Sequence, residues 1–278
     1  MYEHFKLNLS TFELQLFHPD FMQRSISILI IFLLFNFSTA QTKFGNPEVD
    51  PAQIQKNFSG WSAYQNKNIM LSRDFVALHV LSNEISKESF LDQLANGNFI
   101  PIRLKSDDSI YYYKLFKIQT NSDTSIKATI NQIGFDALKN YKMEGTAFPK
   151  FSFKDLNGTE VSNETMKGKI IVIKCWYIHC TPCIKEFPQV NRLVEEYKDR
   201  KDILFVSLAE DSPEQLKVFL ARKPLLYAVI PDMKIYMNET LDLNAFPTHF
   251  ILNKEGFISK VLPNFESLEV ALAKESKL

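Results

Sequence analysis

Cys180 and Cys183 flank Thr181-Pro182, at the point where an apolar run, Ile170 to Ile173, gives way to a helical pattern, Phe187 to Tyr197. Two cysteines two residues apart at a strand-to-helix junction read as a redox dithiol. Positions i and i+3 of a helix share a face, so the pair can close a disulfide with little backbone movement. Unpaired N–H groups and the helix dipole stabilise a thiolate at that end, and the thiolate is the attacking species. Pro182 fits the first helical turn, where its missing N–H costs nothing. Pro188 falls inside the helical pattern and predicts a kink.

The elements around this stretch must hold it in place. Ile170-Ile171-Val172-Ile173 is a continuous β-branched run, as in a parallel strand buried on both faces. Ahead of it, Asn157-Gly158 between short apolar segments predicts a hairpin. Behind it, Phe187, Val190, Leu193, Val194 and Tyr197 repeat at helical spacing. Ile203 to Leu208 reads as a second buried strand, and Ser212-Pro213-Glu214 opens a helix to about Arg222. Tyr227 to Ile230 predicts a strand. His249 to Leu252 and Phe257 to Val261 predict a hairpin, and Phe265 to Ala273 a closing helix. Strands alternating with helices argue an α/β sheet sandwiched by helices over residues 146–278.

Residues 41–145 carry no chemical motif and read as a small α+β domain of unassigned role. Met70 to Val80 predicts one strand, and Ser86 to Gly97 a capped helix with a glycine stop. Phe99 to Leu104 and Ile110 to Ile118 predict strands, the second with Tyr111-Tyr112-Tyr113 buried on one face. Ile133 to Met143 predicts a short amphipathic helix.

Before that, Gln23-Arg24, an apolar run from Ile26 to Phe37 and Ser38-Thr39-Ala40 follow the order of a secretory signal peptide over residues 22–40. The run is short for a membrane span, which needs roughly 20 residues; an uncleaved anchor is the competing reading. Residues 1–21 read as an upstream extension, with Met22 as the start. A periplasmic or other extracytoplasmic location follows, and with it an oxidising compartment. The 278 residues suffice for two modest domains, and three cysteines are too few for a disulfide scaffold. Lys plus Arg and Asp plus Glu balance at 32 each, so nothing points to nucleic acid as a partner.

The motifs of residues 148–273 together resemble a thioredoxin-superfamily domain of the TlpA/ResA type, the exported bacterial thiol–disulfide oxidoreductases. They are the Asn-Gly hairpin, Lys167-Gly168-Lys169, Trp176, Cys180-Thr181-Pro182-Cys183, Glu186, Pro188, Phe246-Pro247-Thr248 and Asn253-Lys254-Glu255-Gly256. The resemblance implies a thioredoxin-like fold, a central mixed sheet flanked by helices, preceded here by the small α+β domain. It makes Cys180 the nucleophile that forms a mixed disulfide and Cys183 the residue that resolves it. It makes Pro247 a cis-proline whose loop, Phe246 to Thr248, faces the dithiol together with Trp176 and binds an extended substrate segment. It makes Glu186 a relay for the proton that Cys183 loses. The redox disulfide itself is the only prosthetic chemistry implied. Partners are proteins with cysteines or disulfides and a membrane-bound electron donor, with reduction of exported proteins, apocytochromes among them, as the expected direction.

Two positions depart from the usual thioredoxin pattern. Lys174 stands six residues before Cys180, where thioredoxins carry an acid, and His179 stands where a tryptophan usually precedes the first cysteine. Positive charge at either place would lower the thiolate pKa and make the couple more oxidising; alternatively, Lys174 snorkels to solvent and His179 is simply exposed. Cys175 is expected to be a buried structural thiol. Rival readings are a disulfide oxidant or isomerase, and a copper(I) metallochaperone using Cys180 and Cys183 with His179 or His249. Structural zinc would want a second ligand cluster. Haem attachment would want histidine where Ile184 stands. A peroxiredoxin would want Thr or Ser three residues before its cysteine, where Tyr177 stands.

Overall fold

Asp50 and Asn57 each turn a side-chain oxygen onto backbone N–H groups, starting α1 (Pro51–Ile54) and α2 (Phe58–Asn68). The computed structural model describes residues 44–277, so the upstream extension and signal peptide read from residues 1–40 lie outside the described residues. Neither helix is evident in the sequence. Gly60 weakens the propensity of α2, and only Trp61, Tyr64 and Gln65 on it are buried. There follow β1 (Val76–Leu78), β2 (Glu84–Ile85), α3 (Lys87–Ala95), β3 (Phe99–Arg103), β4 (Tyr112–Lys117) and α4 (Thr124–Met143). The strands form one sheet in the order β2-β1-β4-β3, parallel only between β1 and β4. The tyrosine run is buried on two faces rather than one. Tyr113 packs with Trp61, Phe90 and Ile100, and Tyr112 with Leu78 and Leu104.

Helix α4 starts at Thr124, well before Ile133, because Asp123 caps it and Ile126, Ile130 and Gly134 extend its buried stripe at intervals of four. Gly134 is where α4 crosses α3: a Cβ there would run into the backbone of Leu94 and Ala95. Gly134→Ala gains ~1 kcal/mol of helix propensity. It is nevertheless expected to destabilise the protein by ~1–3 kcal/mol through overpacking, seen as a lower urea midpoint at unchanged slope.

The second sheet holds the cysteines. Its elements are a hairpin of β5 (Ser152–Lys154) and β6 (Glu160–Ser162), then α5 (Asn163–Met166), β7 (Ile170–Trp176), α6 (Thr181–Lys185) and α7 (Phe187–Glu196). Then come β8 (Ile203–Ala209), α8 (Pro213–Leu220), β9 (Ala228–Ile230), a π turn at Tyr236–Thr240, β10 (Thr248–Leu252), β11 (Ile258–Leu262) and α9 (Phe265–Glu275). The order β11-β10-β7-β8-β9 puts the all-buried β7 at the centre, parallel to β8 and antiparallel to β10. Strand alternation sorts its side chains. Ile170, Val172 and Trp176 pack under α7 and α9, while Ile171, Ile173 and Cys175 pack on the opposite side with Phe148 and Met237. Pro188 does more than kink the helix. It has no N–H for the Ile184 carbonyl, so the helix ends at Lys185 and restarts at Phe187, with Glu186 at the break.

The two sheets belong to one compact unit, Phe44–Leu278. Ser72 and Arg73 bond Ser267 Oγ and the Glu266 carbonyl on the first turn of α9, and Asp74 pairs with Lys260 and Lys274. None of the described helices is long and apolar enough to cross a membrane.

Candidate active site

Strand β7 delivers the chain to the surface at Tyr177-Ile178-His179, where the Ile178 N–H donates to the Asp211 carboxylate at 2.8 Å. Cys180 is the N-cap of α6 and is joined to Cys183 in a disulfide with a Cα–Cα distance of 5.3 Å. The Cys183 N–H donates to Cys180 Sγ at 3.2 Å, so a free helix-end N–H is aimed at the sulfur that would carry charge. Cys180 is 3% exposed and Cys183 fully buried, so an incoming partner meets Cys180 first. His179, Thr181 and Pro182 around it are exposed.

The Phe246–Pro247 bond is cis. Thr248 Oγ1 donates to the Ala245 carbonyl at 2.7 Å, and the Phe246 ring meets the Tyr177 ring edge-on at 5.5 Å. The proline loop therefore lies against the segment that leads into Cys180. Phe246 and Pro247 are half-buried and can meet a partner. Trp176 cannot: it is fully buried against Phe187 and Phe219, a core residue rather than a substrate contact. Thr248 is buried as well and acts on the loop, not on its visitor.

Beneath the dithiol lies a buried ionic cluster. Lys174 is fully buried and does not snorkel; its ammonium donates to Glu186 Oε2 at 2.5 Å. His249 Nε2 reaches the same oxygen at 3.0 Å, and the Phe265 N–H, first in α9, donates to Oε1 at 2.8 Å. Three elements thus converge on the carboxylate that stands at the end of α6. The positive charge of Lys174 is committed to Glu186. Burial works to raise the Glu186 pKa, but the His249 hydrogen bond and charge, then Lys174, outweigh it and bring it from 4.5 to about 2. Burial, then the Lys174 charge, pushes His249 from 6.5 down to about 4. Burial also draws Lys174 down, opposed by Glu186, and raises the thiol of Cys175.

Both depressed values have the same consequence for stability. Between 6.5 and about 4 the unfolded chain binds a proton on its histidine that folded His249 refuses. Between 4.5 and about 2 the unfolded chain binds one that folded Glu186 refuses. Stability rises with pH wherever the unfolded state holds more protons. The melting temperature is therefore expected to fall steadily on acidification from neutrality to pH 4, and less steeply in a His249→Gln variant.

Sequence reasoning brought together the cysteines, Pro247 and Glu186 but gave His249 no part beyond a rival ligand set, and missed Asp211. A lysine inside a buried strand requires a carboxylate and further donors around it, but only the register of β10 on β7, with His249 opposite Lys174, identifies His249 as one of those neighbours. Asp211 has no comparable signal, because its role depends on the loop after β8 folding back beneath Ile178. A cavity of ≈ 620 Å³ lies elsewhere, lined by Gln65, Lys87, Tyr141 and Asn264 among others, with no cysteine in its walls.

The second half of the chain is similar to known proteins. The model of the AhpC/TSA family matches residues 145–261. The chain is 32% identical over 120 residues to the thioredoxin-like protein YneN of Bacillus subtilis, a match covering 42% of this chain and 70% of that protein. It is 32% identical over 124 residues to the thiol–disulfide oxidoreductase ResA of Bacillus cereus, covering 44% of this chain and 71% of ResA. Among solved structures, the thioredoxin domain of a thiol–disulfide oxidoreductase from Bacteroides vulgatus aligns with a TM-score of 0.43 at 23% identity, covering 47% of this chain and 96% of that one.

Proposed function

This chain belongs to the thioredoxin-like thiol–disulfide oxidoreductases of the ResA type, and from that premise we propose that it reduces disulfides in extracytoplasmic proteins through Cys180 and Cys183. The observation that carries the reading is the disulfide at the start of α6 with the Cys183 N–H on Cys180 Sγ and the cis-proline loop alongside. In the reduced protein the Cys180 thiolate attacks one sulfur of a substrate disulfide. A Cys180–substrate disulfide forms, and the other substrate sulfur leaves and takes a proton. Cys183 then loses its proton and attacks Cys180 Sγ; the internal disulfide forms and the second substrate thiol departs. Two electrons pass to the substrate, and a membrane-bound donor returns two to the dithiol. No bound cofactor enters the cycle.

The extracytoplasmic setting is supported by the signal-peptide order of residues 22–40. The Phe246–Pro247 loop, half-buried and packed against Tyr177, suits contact with a substrate segment that reaches Cys180. Glu186 enters this cycle as a fixed charge, since donors from three elements already hold its oxygens. Equilibration with glutathione redox buffers tests the direction. A reductase is expected to have a potential below about −180 mV, and a value well above that makes the dithiol an oxidant instead.

A further inference from the structure

His249 is fully buried, yet it is tied down at one ring nitrogen only. Nε2 lies on Glu186 Oε2, whereas Nδ1 has no hydrogen-bond partner among the described residues. Near neutrality the ring is uncharged, so a bond to a carboxylate requires the proton on Nε2, and His249 is the donor. The register places His249 opposite Lys174, on the sheet face of Trp176 and Ile251. That face packs against Cys180, Cys183 and Phe187. The titratable groups around the pair are Lys174 on β7 and Tyr227 ahead of β9, with Cys183 on α6 in the same packed layer; α9 presents the Phe265 N–H. Glu186 closes the helix that carries Cys183, so what holds Glu186 also fixes the electrostatics of that helix.

We propose that His249 is a positioning residue of the exchange reaction: by donating to Glu186 it fixes that carboxylate's charge and direction in the layer shared with Cys183, and so sets the pH at which Cys183 gives up its proton. The proposal rests on Cys180 and Cys183 being the exchange centre. In the resolving step the Cys183 S–H bond breaks and its proton passes to water or the departing sulfur. The Cys183–Cys180 bond forms, and the bond from Cys180 to the partner breaks with its electron pair on the partner's sulfur. A carboxylate with one donor fewer turns more unbalanced negative charge on the forming thiolate, and like charge raises the pH at which a thiolate forms.

The test is the oxidation of the reduced protein by glutathione disulfide from about pH 5 to about pH 9, followed by stopped flow. The oxidant is raised until the rate no longer depends on it and resolution by Cys183 limits. His249→Leu is expected to move the midpoint of the rate–pH profile upward by about one unit. His249→Gln, which keeps an amide donor, is expected to bring it back to the wild-type position. In a Glu186→Gln background, His249→Leu is expected to add no shift. An unmoved midpoint in His249→Leu overturns the proposal, as does His249→Gln moving as far as His249→Leu, or a further shift without the Glu186 charge. Should His249→Leu fail to fold, Glu186→Gln decides. Loss of its negative charge beside Lys174 is expected to lower the midpoint by about one unit, and an unmoved midpoint overturns the proposal. Glutathione disulfide is the oxidant throughout, so the direction of exchange with proteins does not enter. Absence of Cys183-dependent glutathione release from wild type would instead fell the exchange-centre reading, and the proposal with it.

Discussion

Glu186→Ala is expected to cost about 3–5 kcal/mol of folding stability. The substitution strands Lys174, whose ammonium is fully buried and bonded to Glu186 at 2.5 Å. It also leaves the His249 Nε2–H and the Phe265 N–H without their acceptor. Each orphaned donor adds the desolvation cost of an unmet buried group. The double variant Lys174→Met, Glu186→Met should recover the part of the loss that comes from the stranded ammonium, because apolar side chains of similar volume replace a buried ion pair at little or no cost, while the cost of the two orphaned donors remains. Urea unfolding of the two singles and the double gives the coupling directly. A double variant as unstable as the sum of the singles would mean that Lys174 and Glu186 do not stabilise one another. Surface pairs such as Lys198–Glu195, exposed on both sides, should by contrast yield under 1 kcal/mol.

Cys180→Ser should abolish exchange, lowering the rate by about a thousandfold or more, since a serine hydroxyl at that helix end stays protonated and cannot attack sulfur. Cys175 offers no replacement. It lies fully buried on the opposite side of β7, with its thiol pKa raised by burial. Insulin or glutathione disulfide reduction scores the loss. Folding should be little affected, because the substitution also removes a disulfide whose ends are only three residues apart. Chain-entropy stabilisation grows with loop length and is small for so short a loop.

The parts of the fold that were legible in sequence are those whose local chemistry matches their final surroundings. β7 reads as a continuous apolar run because both its faces are covered, and the hairpin before it is set by Gly158 at φ +83°. α2 and the first turns of α4 were not legible, since long-range contacts rather than periodicity decide them: Trp61 and Tyr64 in one case, Gly134 against α3 in the other. At the site, spacing located Cys180 and Cys183, and the resemblance to the TlpA/ResA type located the proline loop. Lys174 misled because a lysine at a strand end ordinarily reaches water. Here the strand runs through the core, and the ammonium ends on a glutamate twelve residues away. That partner lies across a strand-to-helix turn, and the second donor comes from β10, sixty-three residues further on. No local pattern records either meeting.

The most direct test of the central claim is Cys183→Ser expressed in cells, with Cys180 left to attack and nothing to resolve it. The account predicts that mixed disulfides between Cys180 and cysteine-containing proteins accumulate, are released by dithiothreitol, and vanish in the Cys180→Ser, Cys183→Ser double variant. If no mixed disulfide accumulates, and copper co-purifies with the wild-type protein, the two cysteines are ligands and the account is contradicted.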